Sequence, residues 1–166
     1  QIGPYIYTKN EFSQELREAQ RKTLDLEKTG MAVTLDIGEK NDIHPANKQD
    51  VGLRLAKLAL ANDYGKSDVI ASGPLYKSKK IFENYIDVYF DFTESGLVSK
   101  GYLDGFEIAG SDSVYYPAKA RIIDEKVRVY SKKVKNPKTV RYGWQNYFDA
   151  TLFNKAGLPA SSFKTP

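Results

Sequence analysis

Residues 30–66, GMAVTLDIGEKNDIHPANKQDVGLRLAKLALANDYGK, set the pattern of the first third of the chain. In Met31–Ile37 the side chains of Met31, Val33, Leu35 and Ile37 fall on one side, and the small Ala32 suits a strand covered on both faces. A loop rich in turn-forming residues follows, from Gly38 to Lys48. From Gln49 the period changes to that of a helix, with Val51, Leu55, Leu58 and Ala59 expected to face inward and an end near Asn62 to Lys66. The loop between the two holds His44, the single histidine of the chain, and Pro45 follows it directly.

Upstream, the same grammar is repeated once. Gln1–Tyr7 reads as a short apolar strand interrupted by Gly3 and Pro4. Asn10 is a suitable N-cap for a helix over Glu11–Lys28, where Phe12, Leu16, Ala19 and Thr23 share one face, and Gly30 suits its end. Strand, helix, strand, loop, helix predicts a parallel sheet with helical crossovers. Two strands and two helices do not complete such a domain, because one sheet edge stays unpaired. Residues 1–66 are therefore expected to be the C-terminal part of a larger α/β domain. Its remainder would be a second chain or a missing N-terminal segment.

Residues 67–166 change character. In YIDVYFDF (85–92), Ile86, Val88, Phe90 and Phe92 alternate with Tyr85, Asp87, Tyr89 and Asp91. GFEIAG, KARII, KVRVYS and TVRYGW continue the two-residue period, with turn signals at Asp104-Gly105, Ser111-Asp112, Asp124-Glu125 and Asn136-Pro137. An antiparallel β-sandwich is expected here. The tail LFNKAGLPASSF has no strand pattern, yet brings Leu152, Phe153, Leu158 and Phe163 to be buried; it is expected to pack across a surface, back onto the first third.

Composition narrows the chemistry. Absence of cysteine among the 166 residues excludes disulfides, thiolate metal sites and a cysteine nucleophile. No apolar run reaches membrane-spanning length, so no membrane partner is expected. The net charge of +4 invites a nucleic-acid reading. However, the densest basic run, VYSKKVKNPKTVRYGW, places its lysines around a turn and strand ends, as a solvated hairpin does. No nucleic-acid partner is expected. With one histidine and no carboxylates at ligand spacing, neither metal nor cofactor is expected.

Two readings of His44 stand side by side. A loop at the carboxyl end of a parallel strand is where open α/β sheets place active sites, and a histidine there can serve as general base to a hydroxyl nucleophile. Asp42 is the nearest group able to hold its other ring nitrogen. Equally, His44 can be an exposed loop residue and Asp42 a turn former.

DIHPANKQDVG resembles the final conserved block of the sialate O-acetylesterase family, a branch of the SGNH hydrolases with a flavodoxin-like α/β domain. LREAQRKTLDLEKTGMAVTLDIG, SGPLYKS, GFEIAG, VRYGWQNY and LFNKAGLPASSF are also similar to that family, so the resemblance spans nearly the whole chain. It implies the end of an SGNH hydrolase domain followed by a C-terminal β-sandwich. His44 would be the catalytic base, and the substrate O-acetylated sialic acid or another acetylated glycan. Export to the periplasm or beyond, in a bacterium, is the matching location. The superfamily commonly places its third triad residue three positions before the histidine, which here is Asn41; Asp42 or a backbone carbonyl is left to support His44.

The family's Gly-Gln-Ser-type block, with its nucleophile, and its oxyanion residues have no counterpart here. Ser67, Ser72, Ser111 and Ser113 lack that context and read as loop residues. This chain alone is expected to be inactive. A rival reading is a non-catalytic carbohydrate-binding module, with Tyr115, Tyr116, Tyr142, Trp144 and Tyr147 as a stacking platform; the same residues also suit a sandwich core. A third is an interaction fragment whose sheet edge needs a partner chain.

Overall fold

The structure is a computed structural model that describes residues 1–7 and 11–166; the expected N-cap Asn10 lies outside them. It is mostly β, with two α-helices and several antiparallel sheets. Helix α1 (Ser13–Lys22) runs into a 3₁₀ turn at Thr23–Asp25, and α2 covers Gln49–Asn62. Ten strands follow. β1 (Leu75–Ile81), β2 (Ile86–Asp91), β7 (Lys126–Tyr130) and β6 (Lys119–Ile123) form one sheet in the order β1-β2-β7-β6. β10 (Phe163–Lys164), β8 (Thr139–Tyr142), β4 (Phe106–Ala109) and β5 (Tyr115–Pro117) form a second, and β3 (Leu97–Ser99) pairs with β9 (Leu152–Asn154).

The alternation of the second part does what its period dictates. Ile86, Val88 and Phe90 from β2 and Val127 and Val129 from β7 meet Phe106, Ile108, Val140, Tyr142 and Phe163 of the other sheet in one core. Tyr142 is fully buried, and its hydroxyl accepts from the backbone N–H of Thr151 and Leu152 (3.0 and 2.9 Å), so its polar end is satisfied inside the core. The alternation fails at two residues, of which Asp87, on the outward side, is buried with Arg128 and Lys126 as partners. Phe92 has φ +61° and is 37% exposed, because the chain leaves β2 there rather than continuing it.

The tail also differs from expectation. It contributes β9 and β10, and Ser161 and Ser162 between them are buried against the N-terminal region. The tail meets the first third through these two serines, while Leu152 and Phe163 belong to the sandwich core.

In the first third, neither expected strand forms a ladder. Gln1–Tyr7 meets Met31–Ile37 through the terminal amine, which donates to the Ala32 carbonyl (2.7 Å), and through Thr34 Oγ1 donating to the Gln1 carbonyl (2.5 Å). The reason is local. Pro4 has no N–H to give, and the second segment turns, with the Ile37 N–H donating to the Thr34 carbonyl. Met31, Val33 and Leu35 are nevertheless buried, packed with Leu24, Leu75 and Ala150.

Both helices are rotated relative to their apolar stripes. On α1 the buried residues are Ser13, Arg17 and Glu18, whereas the stripe expected inward, Phe12, Leu16, Ala19 and Thr23, is exposed. On α2 the buried residue is Arg54; Leu55, expected inward, is exposed together with Leu53, while Val51, Leu58 and Ala59 are half-buried. Polar contacts cause this inversion. Arg17 donates to Ser13 Oγ, Ser162 Oγ and the carbonyls of Gly143, Gln145 and Asn146. Arg54 donates to the Val33 carbonyl (2.5 Å) and, through both terminal nitrogens, to the Asp36 carboxylate (2.6 and 2.7 Å). A bidentate charged pair fixes orientation more tightly than an apolar stripe does.

Candidate active site around His44

The His44 loop is suspended between two fixed points. At its end, Arg54 ties α2 to Asp36, and the start of α2 is closed by Asn47: its Oδ1 accepts from the Asp50 N–H (3.1 Å) while its Nδ2 donates to the Asp50 carboxylate (2.8 Å). At its beginning, Gly38 passes so close to Pro4 that any side chain there would overlap the proline ring and carbonyl. The Ile6 N–H donates to the Lys40 carbonyl (3.0 Å), which holds the loop against the N-terminal segment.

Within the loop two carboxylates organise the backbone. Glu39 accepts from the Ala46 N–H (2.6 Å), spanning the loop. Asp42 Oδ1 accepts from the His44 N–H (2.8 Å), an Asx turn. Pro45 confines the preceding residue, His44, to extended backbone. The ring is thereby presented outward, 86% exposed, with Nδ1 3.8 Å from Asp42 Oδ1. The structure thus brings the two expected residues together. At 3.8 Å the pair is an ion-pair contact when His44 is protonated, longer than a direct hydrogen bond. Nε2 is left facing solvent.

Among the described residues, no hydroxyl hydrogen-bonds to the His44 ring. Ser72 is buried with its Oγ donating to the Gly73 carbonyl, and Ser67, Ser111 and Ser113 are exposed turn or loop residues. Beside the histidine lies an apolar groove of about 470 Å³, formed by Ile2, Tyr5, Tyr7, Phe12, Leu16 and Ile43. Sequence reading took Phe12 and Leu16 for core; here they line a surface next to the histidine loop. Arg54 and Asp36, which position that loop, carry no signal beyond ordinary helix and turn charges.

The aromatic platform does not assemble. Tyr142 belongs to the core, Tyr147 donates to Asp149 (2.7 Å), and Trp144 is half-buried. Arg141, held by Glu107, lies over the Tyr115 ring at 4.0 Å, and Lys133 stands over Tyr116 at 5.4 Å, so cations occupy the ring faces a sugar would need. Among the described residues, no three His, Asp or Glu side chains cluster as a metal site. No helix among them is long and apolar enough to cross a membrane.

The fold of the chain is similar to part of a solved carbohydrate acetylesterase. That structure comes from Xanthomonas citri, is 39% identical in sequence and superposes with a TM-score of 0.93. The match covers 100% of this chain and 40% of the other, so the chain spans well under half the length of the enzyme it matches. No protein-family model and no curated protein matches the chain.

Proposed function

We propose that this chain is one part of a carbohydrate acetylesterase and supplies its catalytic base, His44. The observation that supports the reading is the likeness, over the full length of the chain, to the Xanthomonas citri enzyme. The placement of His44 on an outward-facing loop pinned at both ends agrees with it. In this reading the serine nucleophile and oxyanion donors belong to a region of the polypeptide beyond this chain. The exposed apolar groove beside His44 is where that region would pack.

The reaction is acyl transfer in two halves. The serine Oγ bonds to the acetyl carbonyl carbon as His44 Nε2 accepts its proton; the ester C–O bond then breaks and the protonated ring gives that proton to the departing sugar oxygen, which leaves as a hydroxyl. Water repeats the sequence on the acetyl-serine, giving acetate and restoring both groups. Asp42 steadies the Nδ1 side of the ring and the positive charge that forms on it. The substrate is an O-acetylated glycan, with acetylated sialic acid as its particular form.

The test is acetate release from acetylated glycans and from a chromogenic acetyl ester by the assembled enzyme. His44→Ala is expected to lower kcat by about 10³-fold or more, and Asp42→Asn by less. Full activity in His44→Ala overturns the assignment. Turnover by the 166-residue chain alone overturns the placement of the nucleophile elsewhere.

A further inference from the structure

At the opposite end of α2 from His44, a cavity of about 350 Å³ opens between the end of α1, the Gly30–Met31 segment and the end of β2. Leu58 and Asn62 of α2 line it, so it stands about one helix length, roughly 20 Å, from the histidine loop. Its walls are of two kinds. Leu24, Met31, Leu58 and Leu75 give an apolar floor, and Asp25, Thr29 and Asn62 bring hydrogen-bonding groups to it.

Phe92, the residue at which the chain leaves β2, lines the same cavity. Its φ of +61° lies in the left-handed region, which a bulky L-residue enters at a cost and glycine enters freely. Burial offsets only part of that cost, since the residue is 37% exposed. Cations stand over several rings elsewhere: Arg128 over the half-buried Tyr85, Arg141 over the half-buried Tyr115 and Lys100 over the buried Phe153. Among the described residues, Phe92 has no such partner and stacks on no other ring. Tyr76, its aromatic neighbour in the cavity, is already stacked on Phe163 with Arg21 above it. Strain retained at an open, unpartnered aromatic is the mark of a side chain that serves a ligand rather than the core.

We propose that this cavity is a second carbohydrate site, distant from His44, that stacks one neutral pyranose unit on Phe92. The inference rests on the carbohydrate reading above. A pyranose has an apolar C–H face suited to a ring and an equatorial rim of hydroxyls suited to Asn62, Thr29 and Asp25. An acidic sugar is disfavoured there. Asp25 and Asp91 both line the cavity, whereas Arg21 is held in a bidentate pair by Glu18 and Lys77 is taken by Asp91.

The test is an amide-shift NMR titration of the 166-residue chain with four neutral disaccharides, cellobiose, xylobiose, lactose and mannobiose, and with cellobiouronic acid as the charged counterpart of the first. Saturable shifts centred on Thr29, Asn62 and Phe92 are expected with at least one neutral sugar, with at least ten-fold weaker binding of the acid than of cellobiose. Phe92→Gly is expected to weaken binding at least ten-fold while the thermal midpoint stays level or rises, because the strain is relieved. Absence of cavity-centred shifts with all four neutral sugars overturns the proposal. So does retained binding in Phe92→Gly, or a lowered midpoint, which would make the ring a structural element. The titration involves no turnover, so its outcome is separate from that of the acetate-release assay.

Discussion

Arg17 offers the sharpest test of how the first third is held to the sandwich. Its side chain is fully buried and has no carboxylate partner. Its donors instead serve Ser13 Oγ, Ser162 Oγ and the carbonyls of Gly143, Gln145 and Asn146, joining α1 to the segment after β8 and to the tail. Burial pushes its pKa down to about 10, so it stays charged at neutral pH. Asn146 completes the joint from the other side: its Oδ1 accepts from the Ser13 N–H and its Nδ2 donates to the Glu11 carbonyl, capping α1 from a residue far along the chain.

Arg17→Met keeps most of the volume and removes every donor. Three buried acceptors, the Gly143 carbonyl, Ser13 Oγ and Ser162 Oγ, then lose a bond, at about 1–3 kcal/mol each. No opposite charge is orphaned, and the cost of burying the guanidinium is recovered, which holds the net loss to about 2–4 kcal/mol. For a chain of this length that is a drop of about 6–12 °C in Tm. Arg17→Lys is expected to rescue little, because one ammonium cannot reach acceptors spread around a planar fork. Denaturant unfolding gives the size of the loss, and amide exchange gives its place. Protection in α1 is expected to fall while β2, β7 and β8 keep theirs. A change below about 0.5 kcal/mol in Arg17→Met, or full recovery in Arg17→Lys, would refute the argument that the fork geometry joins the two regions.

Two further outcomes follow from buried polar groups. Tyr142→Phe strips the acceptor from two N–H groups, those of Thr151 and Leu152, and is expected to cost about 2–4 kcal/mol in denaturant unfolding although only one atom is lost. Asp87 is held below the usual carboxylate range, chiefly by its hydrogen bonds from Arg128, with Lys126 adding to them. A depressed folded pKa stabilises above the unfolded value of about 3.9 and ceases to do so as pH falls through the folded value. Asp87→Asn is therefore expected to be less stable than the parent at pH 7, with the gap closing in thermal scans below about pH 4.

The two-residue period carried the sandwich well. Wherever alternation was strict, as in Ile86-Val88-Phe90 or Val127-Val129, the residues on one side are in the core, because period alone fixes the face of a strand. Phe92 broke the rule because backbone conformation at a strand end is not encoded in hydropathy. The tail strands β9 and β10 were illegible for a related reason: they are three and two residues long, too short to show a period. His44 and Asp42 stand out in the sequence by residue type and loop, and they share one Asx turn. Arg17, Arg54 and Asn146 could not be found that way. Apart from Ser13, four positions before Arg17, their partners lie 18 to 145 positions away, and no local pattern marks an arginine that will be buried.

The inversion of α1 bears on the functional reading. A helix with one polar and one apolar face ordinarily buries the apolar one. Here the polar face is inside, with Arg17 and Ser13 bonded to Ser162, Gly143, Gln145 and Asn146, and Phe12 and Leu16 stand in the open beside Ile43 and the His44 loop. A helix satisfied on its polar side and still carrying an apolar stripe is built to be covered on both. The exposed Leu53 and Leu55 on α2 repeat the pattern on the helix that follows the histidine. Apolar surface flanking a histidine whose Nε2 faces solvent is what a half-site requires. On the proposed reading, a polypeptide region covering the stripes would exclude water from the same space in which the ring meets its nucleophile. Covering the helices and completing the catalytic pair are then one packing event, which ties the proposed activity to the only large apolar groove beside His44 among the described residues.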